Sequence, residues 1–188
     1  MKKLLYILIF LFIVFLVWKF GMMQPQVSNG WQTINKDGVS LAYPESLVIA
    51  EAMEPYYFLP NVIASLYTDE ASYKPMNYSQ DGRVIVSSAS IDAQACYQSP
   101  SVSLDTVFDE PVLINGREWR TISFSDAGAG NRYETKLYRL ALNGICYEIA
   151  ENLHYASDWN EIDMDAATRS QQEMRAILTS VVETVKVQ

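Results

Sequence analysis

The N-terminal part of the sequence contains an apolar run that is too long and too uniform for a small globular domain. Residues 4–18 are apolar throughout, Lys19 interrupts the run, and residues 20–23 resume it. A bilayer core requires about 20 apolar residues, and a lysine near the end of a span can extend its amine to the headgroups. We therefore expect residues 4–23 to form a transmembrane helix in contact with the lipid bilayer.

A cleaved signal peptide is the alternative interpretation of this segment. Cleavage requires small residues in an A-x-A-like arrangement after the apolar run. Residues 19–25 read Lys-Phe-Gly-Met-Met-Gln-Pro and lack that arrangement, so a retained signal-anchor is favoured. Because Lys2 and Lys3 precede the span, the positive-inside rule places the N-terminus in the cytoplasm.

The charge distribution agrees with a chain divided into two parts. Of the 14 basic and 22 acidic residues, three basic ones and no acidic one lie in residues 1–26, so the two parts carry formal charges of +3 and −11. We predict that residues 1–26 contain the cytoplasmic N-terminus, the transmembrane anchor and the beginning of a linker. Residues 27–188 are predicted to form an extracytoplasmic domain. The acidic domain is unsuited to binding nucleic acid, which requires a basic surface.

Turn signals in the second part predict antiparallel strands. Asn115-Gly116 and Asn143-Gly144 are dipeptides typical of type I′ hairpins, whose two turn positions require positive φ. A two-residue turn fixes the strand register, which pairs Val112 with Trp119, Arg139 with Glu148, and Lys136 with Glu151. Opposite charges facing each other across strands support this register. A loop over residues 125–131 is expected to join the two hairpins into a meander over residues 111–155.

Further strands are predicted from alternation and β-branched residues. They are 31–34, 39–43, 47–50, 62–67, 83–92 and a last edge strand at 185–187.

Helical periodicity appears near the C-terminus. Apolar residues recur at helical spacing from Met174 to Val185, and Ser170 and Glu173 form a capping-box pattern. The sequence therefore predicts a helix over residues 171–183, and a single helical turn over 103–109. Together with the strands, this indicates an α+β fold in which an antiparallel β-sheet is packed against helices.

The two cysteines, Cys96 and Cys146, allow a disulfide. Outside the cytoplasm two cysteines are more often paired than free. However, Cys146 alternates onto the polar face of its hairpin, and Cys96 could lie on a loop that does not reach it. The spacing of 50 positions does not decide between a bonded and an unbonded pair.

The sequence contains no recognisable catalytic or cofactor-binding motif. His154 is the only histidine, and no G-x-S-x-G, H-E-x-x-H or P-loop pattern accompanies it. Residues 128–130, Gly-Ala-Gly, precede a strand rather than a helix, so they do not form a phosphate site. No catalytic residue, metal ligand or cofactor is therefore expected.

Two further clusters have alternative interpretations. Four acidic residues precede the predicted C-terminal helix, namely Asp158, Glu161, Asp163 and Asp165. Their spacing does not match that of the ligands in a calcium loop. We therefore expect them to interact with the positive end of the helix dipole. Tyr56, Tyr57 and Phe58 lie between prolines and are a candidate exposed aromatic binding patch.

Several short segments resemble known proteins. Residues 128–134, 143–149 and 154–155 resemble a group of uncharacterised membrane-anchored bacterial proteins. Residues 39–44, Val-Ser-Leu-Ala-Tyr-Pro, resemble the opening strand of PsbP-like domains, the extrinsic photosystem II protein family. This resemblance implies an antiparallel sheet with packed helices and supplies no catalytic or metal-binding residues.

The expected function is that of a non-enzymatic accessory or binding module at the outer face of the membrane, with an envelope protein as its partner. One alternative is an envelope hydrolase, in which His154 would lie within hydrogen-bond reach of a serine or a carboxylate. The other is a domain that senses a small ligand or calcium.

Overall fold

The described residues form mostly β-strands, followed by a long helix near the C-terminus. The computed structural model describes residues 30–50, 59–68, 78–98, 109–157 and 164–188. Its elements are β1 (Trp31–Lys36), β2 (Val39–Pro44), β3 (Leu47–Ile49), β4 (Asn61–Thr68), β5 (Tyr78–Ala89), α1 (Ala93–Cys96), β6 (Asp109–Ile114), β7 (Arg117–Gly128), β8 (Asn131–Leu142), β9 (Ile145–Ser157), α2 (Met164–Val182) and β10 (Lys186–Val187).

The strands form two antiparallel sheets. The larger sheet has seven strands in the order β3-β4-β5-β9-β8-β7-β6, and the smaller has three in the order β1-β2-β10. Residues 31–188 form one compact unit. The predicted α+β class, with an antiparallel sheet and packed helices, is confirmed, whereas the PsbP-like arrangement stays a prediction.

The two Asn-Gly hairpins have the predicted register. Asn143 and Gly144 adopt φ values of 52° and 77°, and Asn115 and Gly116 adopt 47° and 77°. Positive φ at both turn positions matches the twist of the flanking strands. The pairs Val112–Trp119, Arg139–Glu148 and Lys136–Glu151 form as predicted.

The predicted loop over residues 125–131 is wrong. Strands β7 and β8 pair as far as Gly128 and Asn131, and only Ala129 and Gly130 form the turn. Small and polar residues suggested a loop, but Ala129 adopts a φ of 51°, so that a two-residue hairpin closes without a glycine at its first position. Strand β5 also begins at Tyr78, five residues before the predicted start, because its pairing with β9 extends that far.

The predicted start of the long helix is also wrong. Helix α2 begins at Met164, with Asp165 in its first turn, where a carboxylate suits the positive end of the dipole. Ser170 lies inside the helix, and its hydroxyl accepts a hydrogen bond of 2.6 Å from Gln80 Nε2. The serine of the supposed capping box therefore contacts the sheet and does not cap the helix.

Helix α2 packs on one face of the larger sheet, which we call the inner face. Met174, Leu178 and Val181 of the helix are fully buried against residues that include Val84 and Ile149. Burial of such side chains contributes roughly 1.5–3 kcal/mol each. This contact forms the main hydrophobic core.

The hairpin turn between β6 and β7 holds the C-terminal end of α2. Asn115 Nδ2 donates to the carbonyl oxygens of Glu183, at 2.7 Å, and Val185, at 2.9 Å. Arg117 Nε donates to Val187 O at 3.2 Å. Because Val187 belongs to the smaller sheet, these bonds connect the two sheets at the end of the helix.

Several predicted features lie outside the described residues. They are the membrane span 4–23 with the rest of residues 1–26, the aromatic cluster Tyr56, Tyr57 and Phe58, and residues 103–108 of the predicted helical turn. Asp109, the last residue of that predicted turn, begins strand β6 instead, because it pairs with Thr121. Neither of the two described helices has the length and apolarity needed to cross a membrane.

We predict that Gly82→Ala destabilises the domain, because Gly82 lies under α2. A methyl group there would approach Met174 Sδ to 2.8 Å and Leu178 Cδ1 to 3.0 Å. Both side chains are fully buried, so we expect a loss of about 1–3 kcal/mol in the free energy of unfolding, measured by urea denaturation. Gly128→Ala is the matched control, since its methyl group would have no neighbour within 4 Å. A Gly82→Ala protein as stable as the wild type would contradict this packing.

Candidate functional site

The face of the larger sheet opposite α2, which we call the outer face, carries the polar side chains of the central strands. Successive side chains along a strand point to opposite faces, so residues paired across strands form rows. One row contains Asp126, Tyr133, His154 and Asp81, in the order β7-β8-β9-β5. The candidate site is built around this row.

His154 is held at both ring nitrogens. Its Nδ1 lies 2.7 Å from Asp81 Oδ2, and its Nε2 lies 3.0 Å from Asn131 Oδ1. A doubly protonated imidazolium donates to both oxygens, whereas a neutral ring requires the Asn131 amide to be rotated so that its NH₂ group donates. In both states the ring is fixed between strands β5 and β8.

Tyr133 lies against the imidazole. The two rings are stacked, with centroids 4.5 Å apart and an interplanar angle of 11°. Tyr133 is nevertheless 47% exposed, so that much of its ring is open to solvent. The stacking and the two hydrogen bonds together give His154 a single, well-defined orientation.

The carboxylate that the hydrolase hypothesis required is therefore present. An Asp–His pair can orient an imidazole as a general base. Nucleophilic catalysis also needs an attacking hydroxyl or thiol beside the base, and the second nitrogen of His154 faces an amide rather than a hydroxyl. The described hydrogen bonds of His154 supply an orienting group without an attacking one.

The register that the Asn-Gly turn between β8 and β9 fixes also places His154 opposite Tyr133, but Asp81 was not predicted. The signal was the strand register: once β5 extends back to Tyr78 and pairs with β9, Asp81 falls opposite His154. The prediction began this strand at Arg83, two residues too late to include the aspartate.

The predicted possibility of a disulfide between Cys96 and Cys146 is confirmed. The two Cα atoms are 5.4 Å apart, and both residues are fully buried. Cys146 lies on the outer face, as its alternation indicated, and α1 packs against β8 and β9 there. The helix that carries Cys96 therefore covers the part of the outer face on which a cysteine had seemed exposed.

A buried ion pair lies beside this disulfide. Arg139 Nε and Nη2 each lie 2.7 Å from Glu148 Oε2. Arg139 Nη1 also donates to the carbonyl oxygens of Cys96 and Gln98, at 2.9 and 2.8 Å. Burial raises the pKa of Glu148, although the adjacent Arg139 guanidinium opposes this effect. Arg139 thus links the sheet to the backbone of the segment that carries Cys96.

Tyr97 adds two further contacts to the same corner of the sheet. Its hydroxyl accepts a hydrogen bond of 3.1 Å from Ala141 N, and the Arg120 guanidinium lies 4.8 Å from the centre of its ring. The disulfide corner, defined by Cys96, Cys146, Arg139, Glu148 and Tyr97, is therefore a structural element rather than a reactive site.

A second group of carboxylates lies on the inner side, beside α2. Tyr138 Oη donates to Glu151 Oε2 at 3.0 Å, and Thr179 Oγ1 donates to Glu151 Oε1 at 3.3 Å. Burial raises the pKa of Glu151, and these hydrogen bonds only partly offset it. The buried Tyr138 likewise has a raised pKa, through burial and the neighbouring Glu151.

Glu134 is affected in the opposite direction. Burial alone would raise its pKa, but hydrogen bonds from Arg175 Nη2, at 2.6 Å, and Tyr155 Oη, at 3.0 Å, outweigh it and lower the pKa. Glu151 and Glu134 therefore connect α2 to the sheet through carboxylates with opposite pH dependence.

An open groove of about 430 Å³ runs along one side of α2. It is lined by Gln172, Arg175, Ala176, Thr179, Ser180 and Glu183. These side chains are polar or small, and Thr179 is the one that donates to Glu151 Oε1.

Metal binding finds no support in the described parts of the chain. There, no three His, Cys, Asp or Glu side chains are grouped so that they could hold a metal ion. Of the acidic cluster considered for calcium, Asp158, Glu161 and Asp163 lie outside the described residues.

Comparisons with known proteins add a general likeness. No protein-family model matches the sequence, and no curated protein does. A structure from Bacteroides thetaiotaomicron VPI-5482 is similar, with 12% identity and a TM-score of 0.41 over 80% of this chain and 45% of that chain, so this chain spans less than half of that protein. LpqN of Mycobacterium tuberculosis, which is involved in cell envelope biogenesis, is similar with 12% identity and a TM-score of 0.47 over 84% of this chain and 90% of LpqN. These values assign neither a family nor a function.

We predict opposite pH effects for Glu151→Gln and Glu134→Gln. The pKa of Glu151 is raised in the fold above the ordinary value of 4.5, so the unfolded chain ionises first and wild-type stability falls, relative to Glu151→Gln, as the pH rises through this range. The pKa of Glu134 is lowered, so the stability it contributes is present above the ordinary value and is lost on acidification. Urea denaturation from acidic to neutral pH measures both differences, and slopes of the same sign would contradict the assignment.

Proposed function

We propose that this chain is a membrane-anchored binding module whose domain lies outside the cytoplasm. Residues 4–23 would span the bilayer with the N-terminus inside, and residues 27–188 would form the domain on the outer side. The module would act without catalysis, as an accessory to an envelope protein. The apolar run and the +3 charge before the domain support this orientation.

The disulfide is the observation that most directly supports the proposed location. Disulfides form and persist in oxidising compartments and are rare in the cytoplasm, where thiols are kept reduced. Cys96 and Cys146 are the two cysteines of the chain, and they are bonded and fully buried. A bond so enclosed by the domain is part of its folded architecture, which favours folding outside the cytoplasm.

The arrangement around His154 supports a role in binding rather than in catalysis. A general base needs a nitrogen directed at the proton it removes. Both nitrogens of His154 are engaged, with Asp81 and Asn131, and one side of the ring is covered by Tyr133. Such a histidine is a fixed polar surface group.

The location is tested by protease treatment and thiol labelling of cells that express the full chain. We expect protease added to spheroplasts to degrade the domain, and the chain to stay in the membrane after alkaline carbonate washing. Maleimide-polyethylene glycol should label denatured wild-type protein at two sites after reduction and at none before it. Cys96→Ser is the matched control, because it frees Cys146 for labelling without reductant.

Other outcomes of this experiment would refute parts of the proposal. A protease-protected domain with two thiols that react without reductant would place it in the cytoplasm. A soluble mature protein that begins near Gln24 would show that the span is cleaved rather than retained.

A hydrolase is the second candidate, and the 2.7 Å contact between Asp81 and His154 favours it. In this case His154 would activate water, with Asp81 orienting the ring. We expect that, if the chain hydrolyses p-nitrophenyl acetate or p-nitrophenyl phosphate, Asp81→Asn and His154→Gln each lower the rate by about 10²-fold or more. Asp37→Asn, in the exposed turn between β1 and β2, should leave the rate unchanged. Equal rates in wild type and His154→Gln would exclude this candidate.

A further inference from the structure

Two exposed tyrosines lie on the outer face, on either side of the central strands. Tyr67, on β4, is paired with Arg83 on β5 and is 37% exposed. Tyr133, on β8, is paired with His154 on β9 and is 47% exposed. Strands β5 and β9 lie between β4 and β8, so the strands that carry the tyrosines are three interstrand spacings apart, about 14 Å at the usual spacing. The two tyrosines also lie in adjacent rows, two residues apart along the strands.

The space between the tyrosines is occupied by polar side chains in two adjacent rows. Arg83 is paired with Asn152, and Asp81 with His154. Arg83 Nε lies 3.7 Å from Asp81 Oδ1, and Asn152 Oδ1 accepts a hydrogen bond of 2.7 Å from a threonine hydroxyl on β8. We call this surface the tyrosine-flanked patch, and it consists of Tyr67, Asp81, Arg83, Asn152, His154 and Tyr133.

The tyrosine-flanked patch is held in place by the sheet. Its six residues are strand residues, on β4, β5, β9 and β8, and the hydrogen bonds of Asp81, Asn152 and His154 restrict their side chains. A surface that is already ordered loses little conformational entropy when a ligand binds. This is the property expected of a binding surface for a weakly interacting, flexible ligand.

The charge of the patch distinguishes it from the rest of the domain. The carboxylate of Asp81 is matched by the guanidinium of Arg83, so that the patch has no net charge when His154 is neutral. Residues 27–188 as a whole carry a formal charge of −11. The surrounding field therefore repels anionic ligands and favours a neutral one at this place.

The chemistry of the patch narrows the ligand class further. The carboxylate of Asp81, the guanidinium of Arg83 and the amide of Asn152 offer both donors and acceptors, as a ligand with many hydroxyl groups requires. Exposed tyrosine rings present apolar faces together with a polar hydroxyl, which suits the C–H surface of a sugar ring. On Tyr133 the available face is the one turned away from His154, because the imidazole is stacked on the other. The separation of the rings exceeds the width of a single sugar, so the ligand would be an extended chain of several sugars.

We propose that the tyrosine-flanked patch binds a neutral glycan chain, with sugar rings against Tyr67 and Tyr133 and their hydroxyl groups bonded to the side chains between them. That the protein encounters the glycan outside the cytoplasm rests on the proposed function. Because glycan binding is measured on purified protein, a failure to bind glycan is distinguishable from an error in the proposed location.

The test is a calorimetric titration of the full chain, in a detergent without a sugar headgroup, with the N-acetylglucosamine tetramer and cellotetraose. We expect at least one of them to bind with a dissociation constant below about 1 mM. Tyr67→Ala and Tyr133→Ala should each weaken binding by about tenfold or more. Tyr67→Phe and Tyr133→Phe keep the rings and should retain most of the affinity.

Controls separate a specific effect from a general one. Leu113→Ala removes another exposed apolar side chain, 76% exposed on the edge strand β6, and should leave binding unchanged. An anionic alginate tetramer should bind more weakly than the neutral tetramers. The unfolding midpoint of each variant, compared with that of the wild type, verifies that it is folded.

Three results would overturn the proposal. They are the absence of binding by both neutral tetramers, equal or tighter binding of the alginate tetramer, and affinities unchanged by both alanine variants. If the alanine variants instead lose cross-links to an envelope protein while glycan binding is absent, the patch is a protein-binding surface and the proposal is wrong.

Discussion

The packing of α2 on the inner face is the contact on which the rest of the domain depends. The helix places its apolar stripe over the central strands, and at Gly82 the absence of a side chain lets Met174 and Leu178 approach the backbone of β5. Strands β5 and β9 are thereby covered on the inner side. Their outer side is then available for polar residues, because the hydrophobic burial that the sheet needs is supplied largely by the helix.

The outer face shows how one sheet surface can serve different purposes along its length. At one end, α1 covers Cys146 and the Arg139–Glu148 pair, and the buried Arg139 guanidinium donates to Glu148 Oε2 and to the carbonyl oxygens of Cys96 and Gln98. At the other end, Asp81 and His154 are partly exposed. A buried row of apolar residues separates the two ends, namely Ile85, Ala150, Leu137 and Ile122. The buried ion pair and the exposed histidine are thus six positions apart on β9, from Glu148 to His154.

Local signals were sufficient for much of the fold. The Asn-Gly turns fixed the registers of two hairpins, because positive φ at both positions permits few alternatives. Where a signal was compatible with two environments it was misleading. Ser170 and Glu173 fit a capping box, yet Ser170 lies within α2. Ala129 lies in a two-residue hairpin turn, although the small and polar residues around it suggested a longer loop. Neither error is evident without the partner strand or helix.

The site was harder to predict than the fold for the same reason. Pairs within a hairpin, such as Tyr133 with His154, follow from the position of the turn and from counting residues outward from it along both strands. Asp81 comes to lie beside His154 through the pairing of β5 with β9, which are distant in sequence, and no local pattern specifies which strand lies next to β9. The approach of Cys96 to Cys146 belongs to this class as well, since it depends on where α1 packs.

The disulfide has a topological consequence for the chain. It joins two points that enclose β6, β7 and β8, so these strands belong to a closed covalent ring. A single backbone cut between Cys96 and Cys146 would leave one covalently connected molecule, with its two pieces still held by the sheet. Cleavage in this stretch would separate the fragments only after reduction, so that a single band on a denaturing gel without reductant is no measure of an intact backbone.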